Sequence, residues 1–178
     1  EFCLENECFY VIKDNGTTVD AFAKQNVNTE TNRQDKNANT LAFAEKTNGN
    51  YGYWTDSSGK LLSKYGTSYP ANVFDSNSLI YAPVQNYKTY LKNTLGKTSV
   101  DARLITFEEL IGLGCNSNEY SCESAPSWIY STLYWTASAH KNYSVWNVDS
   151  YGSFGGYRFN SSGYYGLRPV ITISKSDI

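Results

Sequence analysis

The sequence predicts an α+β fold, and three observations carry that prediction. Residues 83–95 and 106–113 show helical periodicity with matching end signals. The chain beyond Ser127 breaks into short apolar runs separated by turns. Near the N-terminus two apolar runs flank an Asp14-Asn15-Gly16 corner. At 178 residues, with 40% hydrophobic and 18% charged positions, the chain suits one folded domain with its own core. A net charge of −2 and a pI near 5.4 leave no basic footprint for nucleic acid or an anionic membrane. No apolar run reaches the roughly 20 residues of a membrane span. The absence of Met marks the sequence as a processed or trimmed piece, so any upstream signal or anchor lies outside it.

Taken in order, residues 8–13 (CFYVIK) and 17–23 (TTVDAFA) read as a hairpin, because Asn-Gly tolerates the positive φ of a tight turn. Lys24 to Thr40 is polar and reads as a long surface excursion. LAFA (41–44) and YGYWT (51–55) are short strand candidates, followed by a turn at Asp56-Ser57-Ser58-Gly59. Val84, Tyr87, Leu91 and Leu95 recur at helical spacing, with Pro83 at the start and Gly96 past the end. Thr106 with Glu109 forms a capping box, Leu110 and Leu113 face the core, and Gly112-Leu113-Gly114 ends that helix. Strands are expected at 130–137, 143–149, 155–159 and 167–173, with Pro169 tolerated at the beginning of the last. Residues 1–49 are expected to form the hairpin and polar excursion, and 50–178 the core of a single domain.

The four cysteines fall in two close pairs, Cys3/Cys8 and Cys115/Cys122. The Cys115/Cys122 gap is wider than common zinc spacings, and His140 is the only histidine. Three connectivities are open, with Cys3–Cys8 and Cys115–Cys122 the favoured set in an exported protein. Four reduced thiols in a cytosolic protein are the alternative.

From Trp128 to Val170 aromatic residues recur at nearly every third position, and Ser, Gly, Asn and Thr fill most of the space between them. Rigid amphipathic rings among small hydrogen-bonding residues are the chemistry of a recognition surface; a plain core would use Leu, Ile and Val. Trp135 and Trp146 sit in strand-like positions and are expected to pack inside. The expected ligand-contacting set is His140, Asn142, Tyr143, Asn147, Asp149, Tyr151, Ser153, Phe154, Tyr157, Phe159, Asn160 and Tyr164, within a surface spanning 138–165. Glu108 and Glu109 diverge by about 100° on a helix and suit its dipole rather than acid–base work on one bond. Gly152 to Gly156 lacks the strand–helix context of a phosphate loop. Arg168, beside a glycine turn, is expected to tie loop carbonyls together.

Two sets of motifs resemble the formylglycine-generating enzyme family. Arg103-Leu104-Ile105-Thr106 followed by Glu108-Glu109-Leu110 is similar to that family's helix start. Tyr134-Trp135-Thr136-Ala137-Ser138 and Gly166-Leu167-Arg168-Pro169-Val170 are similar to its Trp-Thr-Ser and Gly-Phe-Arg elements. The resemblance implies a C-type lectin-like fold over roughly residues 50–178, with two helices packed on short twisted antiparallel sheets. Catalytic members carry reduced cysteines in the C-terminal half, whereas no cysteine follows Cys122 here, so the oxidase activity is not carried over. Trp146-Asn147-Val148-Asp149 departs from the lectin Trp-Asn-Asp strand by an inserted residue and lacks a neighbouring Pro loop, so no calcium site is expected. The C-terminal block, with the Cys115–Cys122 loop and Ser124-Ala125-Pro126-Ser127-Trp128, is similar to gut-bacterial surface proteins that bear a pilin-like helix upstream. Ser138–Tyr165 resembles in composition the variable regions of proteins diversified by retroelements. Together these imply a non-catalytic module of adhesin or receptor type, located outside the cell, on its surface or on a pilus. It would bind a protein or glycan without cofactor, metal, nucleic acid or membrane insertion. A pilus-tip or pilin subunit, or an enzyme relative, is the alternative.

Overall fold

The structure is a computed structural model that describes residues 1–46 and 50–178. The expected junction after residue 49 therefore lies outside the described residues. In chain order the elements are β1 (Phe2–Leu4), β2 (Glu7–Asp14), β3 (Thr18–Ala23), β4 (Val27–Asn28), β5 (Arg33–Gln34), β6 (Ala71–Asn72), α1 (Tyr81–Asn93), β7 (Asp101–Leu104), α2 (Phe107–Gly112), β8 (Tyr134–Lys141), β9 (Ser144–Val148), β10 (Phe154–Arg158) and β11 (Pro169–Ser174). This is a mixed α/β fold with two helices and antiparallel sheets. One sheet runs β1-β2-β3-β11-β7, a second runs β10-β9-β8-β6, and β4 pairs with β5 alone.

The N-terminal hairpin forms where the Asn-Gly signal puts it. Gly16 takes φ +88°, its N–H donates to the Asp14 carboxylate at 2.8 Å, and Asn15 N–H donates to the Thr18 carbonyl. β3 then pairs with β11 from the far end of the chain, Phe22 opposite Val170 and Thr18 opposite Ser174. Both strands are buried on both faces. Ala21, Ala23, Ile171 and Ile173 join one apolar cluster, while Phe22 and Val170 join the other. That double burial explains why TVDAFA and VITI read as apolar runs rather than alternating strands.

Helix α1 begins two residues before Pro83, whose missing N–H lies in the first turn, where no intrahelical acceptor exists. Val84, Tyr87 and Leu91 form its buried stripe, and Gly96 at φ +69° turns the chain away. At α2 the capping box is complete: Thr106 Oγ1 accepts from Glu109 N–H, and Thr106 N–H donates to the Glu109 carboxylate. Arg103 on β7 grips the same carboxylate with both Nη atoms, at 2.8 and 2.7 Å, and reaches Asp20 on β3 at 3.3 Å. The two disulfides are Cys3–Cys8 and Cys115–Cys122, and no helix among the described residues is long and apolar enough to cross a membrane.

Three expected strands are corrected. LAFA and YGYWT are not strands. Their backbone reaches isolated loop carbonyls instead: Phe43 N–H donates to Phe159, and Gly52 N–H to Asn142. Phe43 and Trp54 become core rings packed edge-on to one another and to Trp135 and Phe159 respectively. Residues 130–133 do not extend β8 backward. A 3-10 turn spans Ser127–Tyr130, because the carbonyls of Trp128 and Ile129 are claimed by Arg168.

Arg168 is fully buried. Its Nε donates to Ala23 O at 2.7 Å, Nη1 to Ile129 O at 3.1 Å and Nη2 to Trp128 O at 2.8 Å. Its guanidinium lies 4.2 Å from the Phe22 ring centre and 5.3 Å from that of Tyr134. Burial lowers its pKa to about 10, yet the fork, locked onto three carbonyls, stays charged at neutral pH. Lysine has one ammonium and cannot span three divergent carbonyls. Arg168→Lys is therefore expected to lose at least two charge-assisted hydrogen bonds, at ~1–3 kcal/mol each, leaving Ile129 O to the Tyr134 hydroxyl and Trp128 O to that of Ser131. Urea denaturation should show a loss of about 2–5 kcal/mol, and an unchanged midpoint would remove Arg168 from its structural role.

Candidate ligand-binding site

The β8–β9–β10 ribbon carries most of the expected contact residues, and it divides them. Asn147, Phe154 and Phe159 are corrected to interior positions. Asn147 lies on β9 with its amide donating to Val145 O at 3.3 Å. Phe154 packs against Trp146 and Phe107, with ring centres 4.6 and 5.5 Å apart. Phe159 lies 5.5 Å from Trp54. A phenyl ring has no polar tip to satisfy, so these two rings go inside while the neighbouring phenols stay out. Trp135 and Trp146 are buried. Trp128 stacks on Tyr10 at 4.4 Å, which removes it from the set of free platforms.

The remaining residues fall at two ends of the ribbon. At the β9–β10 turn, Asp149 accepts the N–H groups of Tyr151 and Ser153, both at 2.9 Å, and Gly152 takes φ +86°. Its carboxylate thus closes an Asx turn that displays Tyr151, which is 84% exposed, beside exposed Ser153. The other end lies four residue steps away along β10, roughly 14 Å. There Ser144 pairs with Arg158 and Val145 with Tyr157. An open cleft of about 350 Å³ forms between His140, Tyr143, Ser144, Tyr157, Arg158 and Ser161. Asn142, half-buried in the β8–β9 turn, uses its carbonyl on Gly52 N–H, and half-buried Asn160 follows β10.

Three tyrosines rim this cleft region. Tyr143, Tyr157 and Tyr164 are 41%, 37% and 55% exposed. Tyr157 meets Tyr164 edge-on at 5.1 Å and Tyr165 at 5.6 Å, while Tyr165 in turn packs on Trp135 at 4.8 Å. The ridge is thus anchored in the core through Tyr165. Tyr164 also borders a second hollow of about 330 Å³, whose wall includes Asn26, Asp35, Thr40, Ser131 and Thr132. The polar excursion of residues 24–40 therefore contributes to this face.

His140 is held at the cleft floor by a 2.9 Å contact between Nδ1 and Ser144 Oγ and by the Trp146 ring, edge-on at 4.6 Å. Gly156 makes room for it, since a Cβ there would overlap the imidazole. By distance Ser144 and His140 form a nucleophile–base contact. Ser144, however, is buried, and among the described residues no carboxylate reaches the imidazole to orient it. No group of three or more His, Cys, Asp or Glu residues able to hold a metal ion occurs among the described residues.

The expected set did not include Ser144, Gly156, Arg158, Ser161 or Tyr165. Arg158 carried a readable signal as an isolated cation in an uncharged stretch. The others became visible only through strand register. Comparison with protein-family models, curated proteins and solved structures finds no match.

Burial, and secondarily the Lys141 charge, lower the His140 pKa below its ordinary 6.5. Folding therefore favours the neutral ring, and the unfolded chain binds the extra proton between the two values. Stability should rise with pH across that window and level off above about 6.5. As the sole histidine, His140 can be titrated by the C2–H resonance in proton NMR. A midpoint at or above 6.5 in the folded protein would contradict this placement.

Proposed function

We propose that this domain is a non-catalytic, C-type lectin-like recognition module of an extracellular or surface-displayed protein. It binds a protein or glycan through the face bearing Tyr143, Tyr157 and Tyr164. The observation that carries the reading is the sorting of aromatic rings. Within one short stretch Trp135, Trp146, Phe154 and Phe159 are buried, while the phenols of Tyr143, Tyr157 and Tyr164 stand exposed around an open cleft. Exposed, core-anchored tyrosines supply contact area with only two side-chain torsions to immobilise, and the surrounding Ser and Asn residues supply adaptable hydrogen bonds.

Two disulfides fit an oxidising compartment. Pairing of β3 with β11, two helices and a second sheet that presents long loops support the lectin-like reading. The C-terminal stretch from Ser138 to Tyr165 further suits a retroelement-diversified surface, in which case natural variants should differ at Asn142, Tyr143, Tyr157, Asn160 and Tyr164. Phe154, Phe159 and Trp146 should stay constant, because changing them opens the core. Sequencing this locus across isolates checks that pattern, and substitutions spread evenly over buried and exposed positions would defeat it.

For the binding face, the purified domain is applied to arrays of glycans and of surface proteins. The triple variant Tyr143→Ala, Tyr157→Ala and Tyr164→Ala should lose its hits by about 100-fold or more, because interface aromatics carry ~2 kcal/mol or more each. Tyr151→Ala should keep them. The melting temperature of the triple variant should fall by less than about 5 °C, as expected of exposed side chains. A collapse of folding would show that the rings belong to the core.

A further inference from the structure

Of the four arginines, three have their charge answered. Arg33 approaches Glu7 at 3.7 Å, Arg103 holds Glu109 and Asp20, and Arg168 is ringed by carbonyls. Arg158 is exposed, and among the described residues its side chain makes no ion pair and no hydrogen bond. Its company is the Tyr143 ring, 5.9 Å from the guanidinium carbon. The residues lining the cleft beside it include no Asp or Glu. The cleft is thus a hollow with one free guanidinium, an imidazole held by the buried Ser144 hydroxyl, a further hydroxyl at Ser161, and phenols at Tyr143 and Tyr157.

Resting on the recognition reading above, we infer that this cleft is a metal-independent seat for the carboxylate of an acidic sugar residue within a glycan. A guanidinium fork matches a carboxylate with two parallel hydrogen bonds. At about 350 Å³ the cleft lies at the small end of ligand pockets, suited to one ring rather than to a folded element. The phenol faces offer apolar surface to the C–H face of a pyranose, while Ser161 and His140 address its hydroxyls.

The rest of the face favours a glycan over an acidic peptide. From Tyr157 the ridge runs 5.1 Å to Tyr164, and Tyr164 borders the second hollow. That hollow is walled by amides and hydroxyls of Asn26, Thr40, Ser131 and Thr132, with Asp35 and Lys36 adding one charge of each sign. Neighbouring neutral sugar units would find hydrogen-bonding groups there. An acidic peptide would need a row of cations; the first cleft carries one guanidinium with Lys141 next to its floor, and in the second hollow the Lys36 cation stands with the Asp35 carboxylate.

The test uses the whole domain and a probe panel: tetragalacturonate, 3′-sialyllactose, a hyaluronan tetrasaccharide, the methyl ester of each, and hexaglutamate. Binding is followed by calorimetry and by the shift of the His140 C2–H resonance, which reports on this cleft alone. At least one acidic sugar should bind and move that resonance. Its methyl ester should bind at least about tenfold more weakly, and binding of the acid should weaken as NaCl is raised. Arg158→Gln should weaken it by a similar factor, with Arg158→Lys between, and leave the melting temperature unchanged. The inference is overturned by esters binding as well as acids, by undiminished binding to Arg158→Gln, by hexaglutamate binding best, or by no acidic sugar binding. Array hits on neutral glycans or proteins that the triple tyrosine variant loses would keep the recognition reading while removing the carboxylate seat.

Discussion

A buried guanidinium without a carboxylate is costly to hold, and Arg168 is held because two separate segments between them give it three carbonyls. Ala23 closes β3, Trp128 and Ile129 belong to the 3-10 turn, and Arg168 itself immediately precedes β11. The Phe22 and Tyr134 rings flank the charge from β3 and the start of β8. One side chain therefore sets where the first sheet, the second sheet and the turn between them meet. Gly166, two residues earlier, links Leu133 and Trp135 by backbone hydrogen bonds. The loop that carries Tyr164 and Tyr165 is thereby tethered at the same point. The candidate face is thus anchored at one end beside the arginine.

Aromatic residues do two jobs in this chain, and the hydroxyl separates them. Phe22, Phe43, Phe154, Phe159, Trp54 and Trp135 are buried at or near contact distance with other rings, mostly tilted or edge-on. Such pairs add roughly 0.5–1.5 kcal/mol beyond the burial of area. The two fully buried tyrosines among the described residues each give their hydroxyl a partner. Tyr134 donates to Ile129 O and Tyr87 to the buried carboxylate of Glu7. Tyr143, Tyr151, Tyr157 and Tyr164 stay at the surface. Glu7 also takes Gln34 N–H, which fastens the polar excursion to the first sheet.

Local chemistry was legible in the sequence, and long-range register was not. Asn15-Gly16, the Thr106–Glu109 capping box, the stripe of α1 and the cysteine pairs act within a few residues, so each could be read where it stands. LAFA and YGYWT have strand composition, but their partners are loop carbonyls about 90 to 115 residues away. β7 was hidden inside a segment read only as the approach to α2, and its pairing with β11 spans nearly 70 residues. In the candidate site, choosing Phe154 and Phe159 as contacts overlooked the difference between phenyl and phenol. Arg158 was visible as a lone cation, but its isolation from carboxylates is a property of the folded chain.

β10 is an edge strand, and edges invite pairing with another chain. Its start is covered, since Phe154 N–H donates to Tyr120 O in the loop closed by Cys115–Cys122. Further along, Gly155 and Gly156 leave the strand without side chains. The absence of a Cβ at Gly156 lets the His140 ring lie against the strand and meet Trp146 edge-on. That arrangement removes a wall that an ordinary residue would build, and the cleft is the space left. Tyr157 and Arg158 then complete the strand with bulk and charge, the two properties that discourage a second strand from docking. The charge that protects the edge has no partner within the fold, so the feature that keeps β10 from pairing is the same one that leaves the cleft open to an anion.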